Sequence, residues 1–232
     1  MLFRSLRMLL PACASQLLSR LLDVLRTALP RLSDAPALTA LLTQLTYCST
    51  SFARLGLDFR TLLPPLFEDA VRARVSGEFS KAASEFGKTP RTSWAGVGAP
   101  RRDSRGAAGT TAGVLQMPPQ ALVAYPPVAV FANALLAALK GLRLLAPVAL
   151  LNDLVHALDG ALANACRTLL EAPREEAREA ARAFVQLLIP FVRRGLIEGV
   201  YGSSEGDVVP GEELQGAMED VNAWISSVNK VT

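Results

Sequence analysis

One short stretch of the sequence has the spacing of a phosphate-binding loop. Residues 82–89 read AASEFGKT, with alanine in place of the first glycine and with Gly87, Lys88 and Thr89 at the usual offset. Such a loop needs a strand before it and a helix after it, so that backbone amides converge on the anion. Here helical periodicity precedes the stretch and Pro90 follows it. We therefore interpret it as a helix end running into a linker.

The other side chains that could carry catalysis are scattered. His156 is the sole histidine, so it has no second histidine with which to hold a metal, and we interpret it as structural. The acidic pairs Glu68-Asp69 and Glu175-Glu176 are adjacent in sequence, and adjacent residues diverge by about 100° around a helix. Neither pair can converge on one substrate atom. The sequence predicts no enzyme, no metal site and no cofactor site.

Residues 87–118 offer the one basic segment that could contact phosphate. Its arginines are Arg91, Arg101, Arg102 and Arg105. Trp94 is its sole aromatic residue, whereas nucleic-acid grooves combine cations with stacking aromatics. The net charge of +3 is too small by itself to indicate nucleic acid. RNA binding through this segment is an alternative function, but nucleic acid is not the expected partner.

The elements that carry these residues are predicted to be helices. Hydrophobic residues make up 50% of the chain and aromatics only 6%, and a Leu- and Ala-rich composition disfavours sheets. Apolar residues recur every three or four positions. One such stripe is Leu38, Leu41, Leu42, Leu45, Cys48 and Phe52. The three cysteines are far apart and imply no disulfide framework. We predict an all-α fold, an elongated bundle or rod of amphipathic helices with a disordered central linker.

Changes in this pattern divide the chain into four segments. These are a first helical segment (1–86), a flexible Gly/Pro/Arg linker (87–118), a second helical bundle (119–203) and an acidic tail with one docking helix (204–232). The linker lacks periodicity and is long for a loop inside a compact domain. The tail helix has a seam spaced four, three, four and three: Leu214, Met218, Val221, Ile225 and Val228. So short a heptad seam is predicted to dock in a groove of this chain or of a partner.

The N-terminal residues permit a second alternative. Residues 1–15 contain arginine and no acid, which is the composition of a mitochondrial or plastid transit peptide, so an organelle-targeted helical scaffold protein is possible on this ground. We favour an amphipathic first helix with one apolar side, formed by Leu17, Leu18, Leu21, Leu22 and Leu25. The uncharged run from Val128 to Leu139 is shorter than the roughly 20 residues that cross a bilayer. No transmembrane span is predicted.

Prolines mark the expected corners between helices. Gly56 predicts the end of one helix, Asp58 a capping acceptor in the elbow, and Pro64-Pro65 the start of the next helix. Pro126-Pro127 repeat this arrangement before a second apolar stripe. Pro190 is expected to kink a later helix, which is expected to fray at residues 199–202.

Two blocks of the chain resemble subunit 8 of the conserved oligomeric Golgi complex, from a tethering-complex family of helical rods. In the first block, GLDFRTLLPPLFEDAV, the matching residues are Gly56, Asp58, Phe59, Arg60, Leu63, Pro65 and Phe67. In the second, YPPVAVFANALLAALKGLRLLAPVAL, they are Pro126, Pro127, Phe131, Asn133, Leu142, Arg143, Pro147 and Val148. The resemblance covers about residues 38–86 and 119–200. The motif LPPLF resembles the corresponding sequence of plant and algal members.

This resemblance implies a non-enzymatic subunit that associates peripherally with the cytoplasmic face of the Golgi membrane and supports retrograde vesicle transport. The implied partners are the other subunits of the tethering complex, with SNAREs or Rab-type GTPases as further candidates. The matching residues are expected to shape the fold or to contact partners. Family members are much longer, so the chain is expected to represent their distal part, from a truncated gene model or a short isoform.

Overall fold

A computed structural model of the chain describes residues 2–32, 34–54, 56–88, 119–171, 176–203 and 208–228, with side chains for all of these except residues 2–12, 176 and 228. Over these ranges the regular structure is helical and contains no strand, which confirms the predicted all-α class. The predicted linker and its arginines lie outside the described residues after Lys88. No helix in the described ranges combines the length and apolarity that crossing a membrane requires.

The chain forms two compact units, Met1–Arg74 and Val75–Thr232. In the first, α1 (Leu2–Ala28) continues through a 3-10 turn (Leu29–Arg31) towards α2 (Ala35–Ala53). A second 3-10 turn (Arg60–Leu62) leads into α3 (Leu63–Gly87).

The predicted apolar side of α1 is covered only near the end of the helix. Leu22 and Leu25 are buried, as is Leu29 in the following turn, whereas Leu17 is 66% exposed. The predicted stripe was therefore too long at its N-terminal end, because its spacing alone does not show where a covering element stops.

Helix α3 passes from the first unit into the second between Arg74 and Val75. It begins at Leu63, which places both prolines in its first turn, where a missing N–H costs no helical hydrogen bond. Phe67 is buried in the first unit, and Phe86 is buried in the second. The division between the two units therefore falls inside a helix.

The second unit contains the other helices of the described ranges. They are α4 (Pro126–Leu142), α5 (Leu151–Leu170), α6 (Glu176–Ala183), α7 (Ile189–Arg194) and α8 (Glu212–Val228). Short 3-10 turns precede α4 (Gln120–Ala124) and α5 (Val148–Leu150), and π-helical turns follow α6 (Phe184–Leu188) and α7 (Gly195–Val200). Helix α5 packs against α6, α7 and α8, so it is the central element of this core.

Pro190 is accommodated by a π-helical turn. Proline has no N–H and its ring clashes with the carbonyl one turn back. Just before Pro190, the amide of Ile189 donates to the carbonyl of Phe184, five residues back. The interruption that was expected at Pro190 therefore takes the form of a widened helical turn.

The fraying predicted at residues 199–202 is not observed. The amides of Gly202 and Ser203 donate to the carbonyls of Glu198 and Ile197 at 3.1 and 3.0 Å. Gly202 closes the helix with φ +68°, which glycine adopts without strain.

Candidate protein-interaction site

The end of α2 is fixed by the hydrogen bonds of a Schellman motif. The amide of Gly56 donates to the carbonyl of Ala53 at 3.0 Å, and the amide of Leu57 donates to the carbonyl of Phe52 at 3.2 Å. Gly56 has φ +80°, a conformation that residues with a Cβ rarely adopt. The glycine therefore sets the direction in which the chain leaves α2, as its position predicted.

Asp58 organises the turn that follows. One of its carboxylate oxygens, Oδ1, accepts from the amide of Arg60 at 3.0 Å, which confirms its role as a capping acceptor. The Arg60 side chain also donates to both oxygens, from Nε to Oδ1 at 3.0 Å and from Nη2 to Oδ2 at 2.5 Å. These hydrogen bonds from the Arg60 side chain, followed by that from its amide, hold the pKa of Asp58 well below its usual range. Two neighbouring motif residues thus form one charged clamp.

Ser49 ties this turn to α2, and the sequence analysis missed it. Its hydroxyl accepts from the amide of Phe59 at 2.9 Å and donates to Oδ1 of Asp58 at 3.2 Å. Ser49 is fully buried. Its place eleven residues after the buried Leu38 puts it on the covered side of α2. A small polar residue on the covered side of a helix is the sequence feature that could have identified Ser49 in advance.

Some motif residues of the first block are buried and others are exposed. Phe59, Leu63 and Phe67 are 3%, 1% and 1% exposed. Gly56, Asp58, Arg60 and Pro65 are exposed. The buried residues shape the corner, while the exposed clamp of Asp58 and Arg60 remains a candidate for partner contact.

One side of α2 is left partly uncovered. Leu41, Leu45 and Cys48 are half-buried and Phe52 is 43% exposed. Their spacing of four, three and four places them along one side of the helix. We call these four residues the α2 strip. Of the stripe predicted from the sequence, only Leu38 is buried, so this helix face has apolar surface available to a further element.

The second block of motif residues lies in and around α4. Pro127, Phe131 and Leu142 are buried. Phe131 contacts Phe86 and Phe184, with ring centroids 4.9 and 5.8 Å apart, so it joins α3, α4 and the π turn after α6. Pro147 is half-buried, and Pro126, Asn133, Arg143 and Val148 are exposed. The exposed residues remain candidates for partner contact.

The tail helix α8 docks within its own unit, against α5. Three residues of the predicted seam, Leu214, Val221 and Ile225, are buried, whereas Met218 is half-buried. Ala217, beside Met218, is 6% exposed and faces the core instead. The side chain of Val228 lies outside the described residues. The seam therefore finds its groove in this chain.

A buried ion pair anchors the segment that leads into α8. Arg193 on α7 donates through Nη1 to Oδ1 of Asp159 on α5, and both side chains are 4% exposed. Arg193 Nη2 also donates to the carbonyl of Val208 at 3.0 Å, and the amide of Gly211 donates to Oδ2 of Asp159 at 2.9 Å. On the surface, Arg167 pairs with Glu213 at 2.7 Å. Two helices of the core thus hold the start of α8 through its backbone.

The residues considered for catalysis do not assemble into a site in the part of the chain that the structure describes. Gly87 ends α3, and Lys88 pairs with Glu85 at 2.9 Å, so residues 82–88 belong to a helix and its end, as interpreted, and not to a phosphate loop. His156 is exposed on α5, and Glu175 lies outside the described residues. Within the described ranges, no cluster of three or more His, Cys, Asp or Glu could hold a metal ion.

The cysteines form no disulfide, and one of them lies in the core. All three are free, with Cys13 exposed, Cys48 half-buried and Cys166 buried. Burial raises the pKa of the Cys166 thiol to about 12, and Arg167 offsets this only in part. A thiol in such surroundings stays protonated and inert near neutral pH.

Comparison with known proteins relates both blocks to one family. The model of the Dor1-like family matches residues 8–84. A conserved oligomeric Golgi complex subunit 8 from Bos taurus is 32% identical over 198 residues, which cover 78% of this chain and 31% of that protein. The protein of the same name from Homo sapiens is 34% identical over 199 residues, covering 78% of this chain and 32% of that protein.

A third relative shows the same relationship. Conserved oligomeric Golgi complex subunit 8 from Drosophila melanogaster is 30% identical over 176 residues, covering 68% of this chain and 30% of that protein. The chain spans about a third of the length of the curated relatives it matches. No solved structure shows a significant match.

Proposed function

Because this chain belongs to the subunit 8 family of the conserved oligomeric Golgi complex, we propose that it is a non-catalytic subunit of that tethering complex. In this role it holds other subunits through helix–helix contacts and associates peripherally with the cytoplasmic face of the Golgi membrane. The process it serves is retrograde vesicle transport within the Golgi. SNAREs and Rab-type GTPases are further candidate partners.

The observation that carries this proposal is the incomplete covering of α2. A helix of 19 residues contains no charged residue, yet its α2 strip is only half-covered and Phe52 is 43% exposed. Exposed apolar surface of this kind along a helix supports a role in binding other proteins. The second unit also supports a role in binding other proteins. Its core is packed, and several of its motif residues are exposed on its surface.

Assembly with the complex tests the proposal. The tagged full chain is co-expressed with the other subunits of the Golgi complex, captured by its tag and analysed by gel filtration, and the same tagged chain is imaged in cells. We expect at least one named subunit to co-elute with the chain and the cellular signal to coincide with a Golgi marker. A tagged, unrelated helical protein of similar size is the control for non-specific capture.

Two results would contradict the proposal. A monodisperse monomer that retains no subunit and gives no Golgi signal would exclude tethering by this chain. A mitochondrial or plastid signal, with proteolytic removal of N-terminal residues, would favour the organelle-targeted scaffold instead.

A further inference from the structure

Helix α8 is held by polar contacts at its start and by apolar packing along the rest of its length. The polar contacts end at Glu213, whose pair with Arg167 follows the backbone hydrogen bonds to Val208 and Gly211. Beyond Glu213, no side chain of α8 that the structure describes forms a hydrogen bond or ion pair with another helix. The start of α8 is therefore anchored, and the rest is held by packing alone.

The packing that holds α8 comes from one narrow row of side chains. The row consists of Leu214, Ala217, Val221 and Ile225, which are all buried, while most other residues of the helix are exposed. Helix α8 packs chiefly against α5 and less extensively against α6. Apolar side chains at i, i+3, i+7 and i+11, laid in a groove of another element, are typical of an amphipathic helix that binds as a ligand. Helix α8 thus occupies its groove in the manner of a bound peptide.

Gly216 separates the anchored start of α8 from its distal part. The glycine is exposed, and a Cβ added there would meet no side chain and no neighbouring element within 4 Å, so packing does not require a glycine. Glycine weakens the interior of a helix, because its backbone has more freedom to lose than that of alanine. Asn222, Ser226 and Ser227 lower the helix propensity of the distal part further. A helix this short depends on docking to stay folded.

We propose that residues 217–228 form a strap that opens about Gly216 while residues 208–213 stay anchored, and that the uncovered groove along α5 binds an amphipathic helix of another subunit. The strap itself, which is seated in the groove, specifies the chemistry of that helix. It has apolar side chains at i, i+4 and i+8, the first of them small, in the places of Ala217, Val221 and Ile225. The inference rests on the proposed function, since it names how one subunit contact is controlled.

Hydrogen exchange of the full chain, followed by mass spectrometry, tests the opening. Local opening should give the amides of residues 217–228 a common protection, lower than that of α5 and with a weaker dependence on urea than global unfolding has. Gly216→Ala should slow the exchange of these amides at least threefold, because alanine favours the closed helix. Gly160→Ala is the matched control and should leave their exchange unchanged, since Gly160 lies inside α5 and also has no neighbour within 4 Å of an added Cβ.

Binding of a fluorescently labelled peptide of residues 214–228 tests the groove. Val221→Glu in the full chain places a carboxylate in the buried row and releases the strap. This variant should therefore bind the peptide at least tenfold more tightly than the wild-type chain does, as measured by fluorescence anisotropy. Ala223→Glu is the matched control and should bind like the wild type, because Ala223 is exposed on another side of α8. A peptide that itself contains Val221→Glu should not bind.

Three outcomes would overturn the inference. Equal protection of residues 217–228 and of α5, lost together in urea, would make α8 an integral part of the core. Global unfolding of the Val221→Glu variant, seen by circular dichroism, would lead to the same conclusion. A folded Val221→Glu variant that binds the peptide no better than Ala223→Glu would show that the groove accepts no helix from another chain.

The failure of this inference is distinguishable from failure of the proposed function. When the chain is co-expressed with the other subunits, Val221→Glu should retain more of at least one subunit than Ala223→Glu does. Equal retention by the two variants would exclude control by the strap, while the tethering role stands. If the wild-type chain and both variants retain no subunit, the tethering role fails, whatever hydrogen exchange shows for the strap.

Discussion

Arg193 and Asp159 form a fully enclosed ion pair between α7 and α5, 34 residues apart in sequence. Both residues also bind the backbone just before α8. Arg193 donates a further hydrogen bond to the carbonyl of Val208, and Asp159 accepts one from the amide of Gly211. The pair therefore fixes where α8 begins as well as joining two core helices. A buried charge pair whose other hydrogen bonds are also satisfied is stable in place but intolerant of losing one member.

We predict that Arg193→Met destabilises the chain by about 3–5 kcal/mol, because it leaves the Asp159 carboxylate buried without its cation. Urea unfolding followed by circular dichroism measures the change. Hydrogen exchange should show faster exchange of the α8 amides, since the contact with Val208 is also lost. The double variant Asp159→Leu with Arg193→Met should be less destabilised than either single variant, since no unpaired charge remains.

An exposed pair in the same region serves as the control. Arg167 and Glu213 also join α5 to α8, but their side chains are 52% and 58% exposed. Arg167→Ala should change stability by no more than about 1 kcal/mol. Comparable losses in Arg167→Ala and Arg193→Met would show that burial of the Arg193 pair does not matter.

Ser49 is predicted to be the most sensitive hydroxyl of α2. Ser49→Ala removes the acceptor of the buried Phe59 amide, and an unsatisfied buried donor costs about 1–3 kcal/mol. Thr50→Ala is the matched control, because the exposed Thr50 hydroxyl bonds only to its own helix, and the expected change is within about 0.5 kcal/mol. Equal effects in urea melts would mean that the Ser49 hydrogen bonds do not hold the corner.

Phe67 is predicted to be a determinant of the first unit's fold. Its side chain is 1% exposed, and removing a buried phenyl ring to leave a methyl group costs about 3–5 kcal/mol. Phe52→Ala, at a position 43% exposed, should cost clearly less in the same urea melts. A neutral Phe67→Ala would instead indicate that this part of the motif is a surface for partners.

The Asp58–Arg60 clamp predicts a pH dependence with a definite sign. The pKa of Asp58 is lower in the folded chain than its usual value, chiefly through hydrogen bonds from Arg60. A carboxylate of this kind stabilises the fold while ionised, so its contribution is present above about pH 4 and is lost as the pH falls towards the folded pKa. The stability difference between wild type and Asp58→Asn should stay constant from pH 8 to pH 5 and narrow below pH 4.

Arg60→Gln provides the control for that titration. If Arg60 is the main cause of the lowered pKa, Asp58→Asn should have a smaller effect in the Arg60→Gln background at neutral pH. An unchanged effect would assign the role of Asp58 to its bonds with the Arg60 amide and Ser49.

The thiols are predicted to differ sharply in reactivity. Cys166 is buried with its pKa raised to about 12, whereas Cys13 is exposed. At pH 8 a maleimide reagent should label Cys13 in the native chain and should label Cys166 only after unfolding in urea. Mass spectrometry of the labelled peptides distinguishes the sites. Rapid native labelling of Cys166 would show that the core around α5 opens readily.

The corners and helices could be predicted because their signals are local. Gly56 ends α2, proline pairs lie in the first turns of α3 and α4, and spacing of three and four residues marks the apolar sides. The heptad seam of α8 likewise predicted a docked helix. These features depend on the backbone preferences of a few neighbouring residues.

The contacts between distant segments could not be predicted in this way. Nothing near Asp159 in the sequence indicates Arg193 as its partner, and the seam of α8 fits α5 or a foreign helix equally well by spacing. The same limit applies to the α2 strip, because an apolar stripe has the same period whether its own chain or another protein covers it. Only the three-dimensional structure shows that the α2 strip is partly exposed.

The basic residues of the first unit are all arginines, and this limits the methods that can map its contacts. Every lysine of the chain lies after residue 74, at positions 81, 88, 140 and 230. Amine-directed cross-linkers, acetyltransferases and ubiquitin ligases therefore find no lysine side chain in residues 1–74, and a lysine-based cross-linking map would be blank there even for a tight complex. Trypsin, by contrast, cuts after Arg31 and Arg54 and releases residues 32–54 as one peptide. That single peptide holds the whole of α2, so protection at this helix is read from one mass-spectrometric signal.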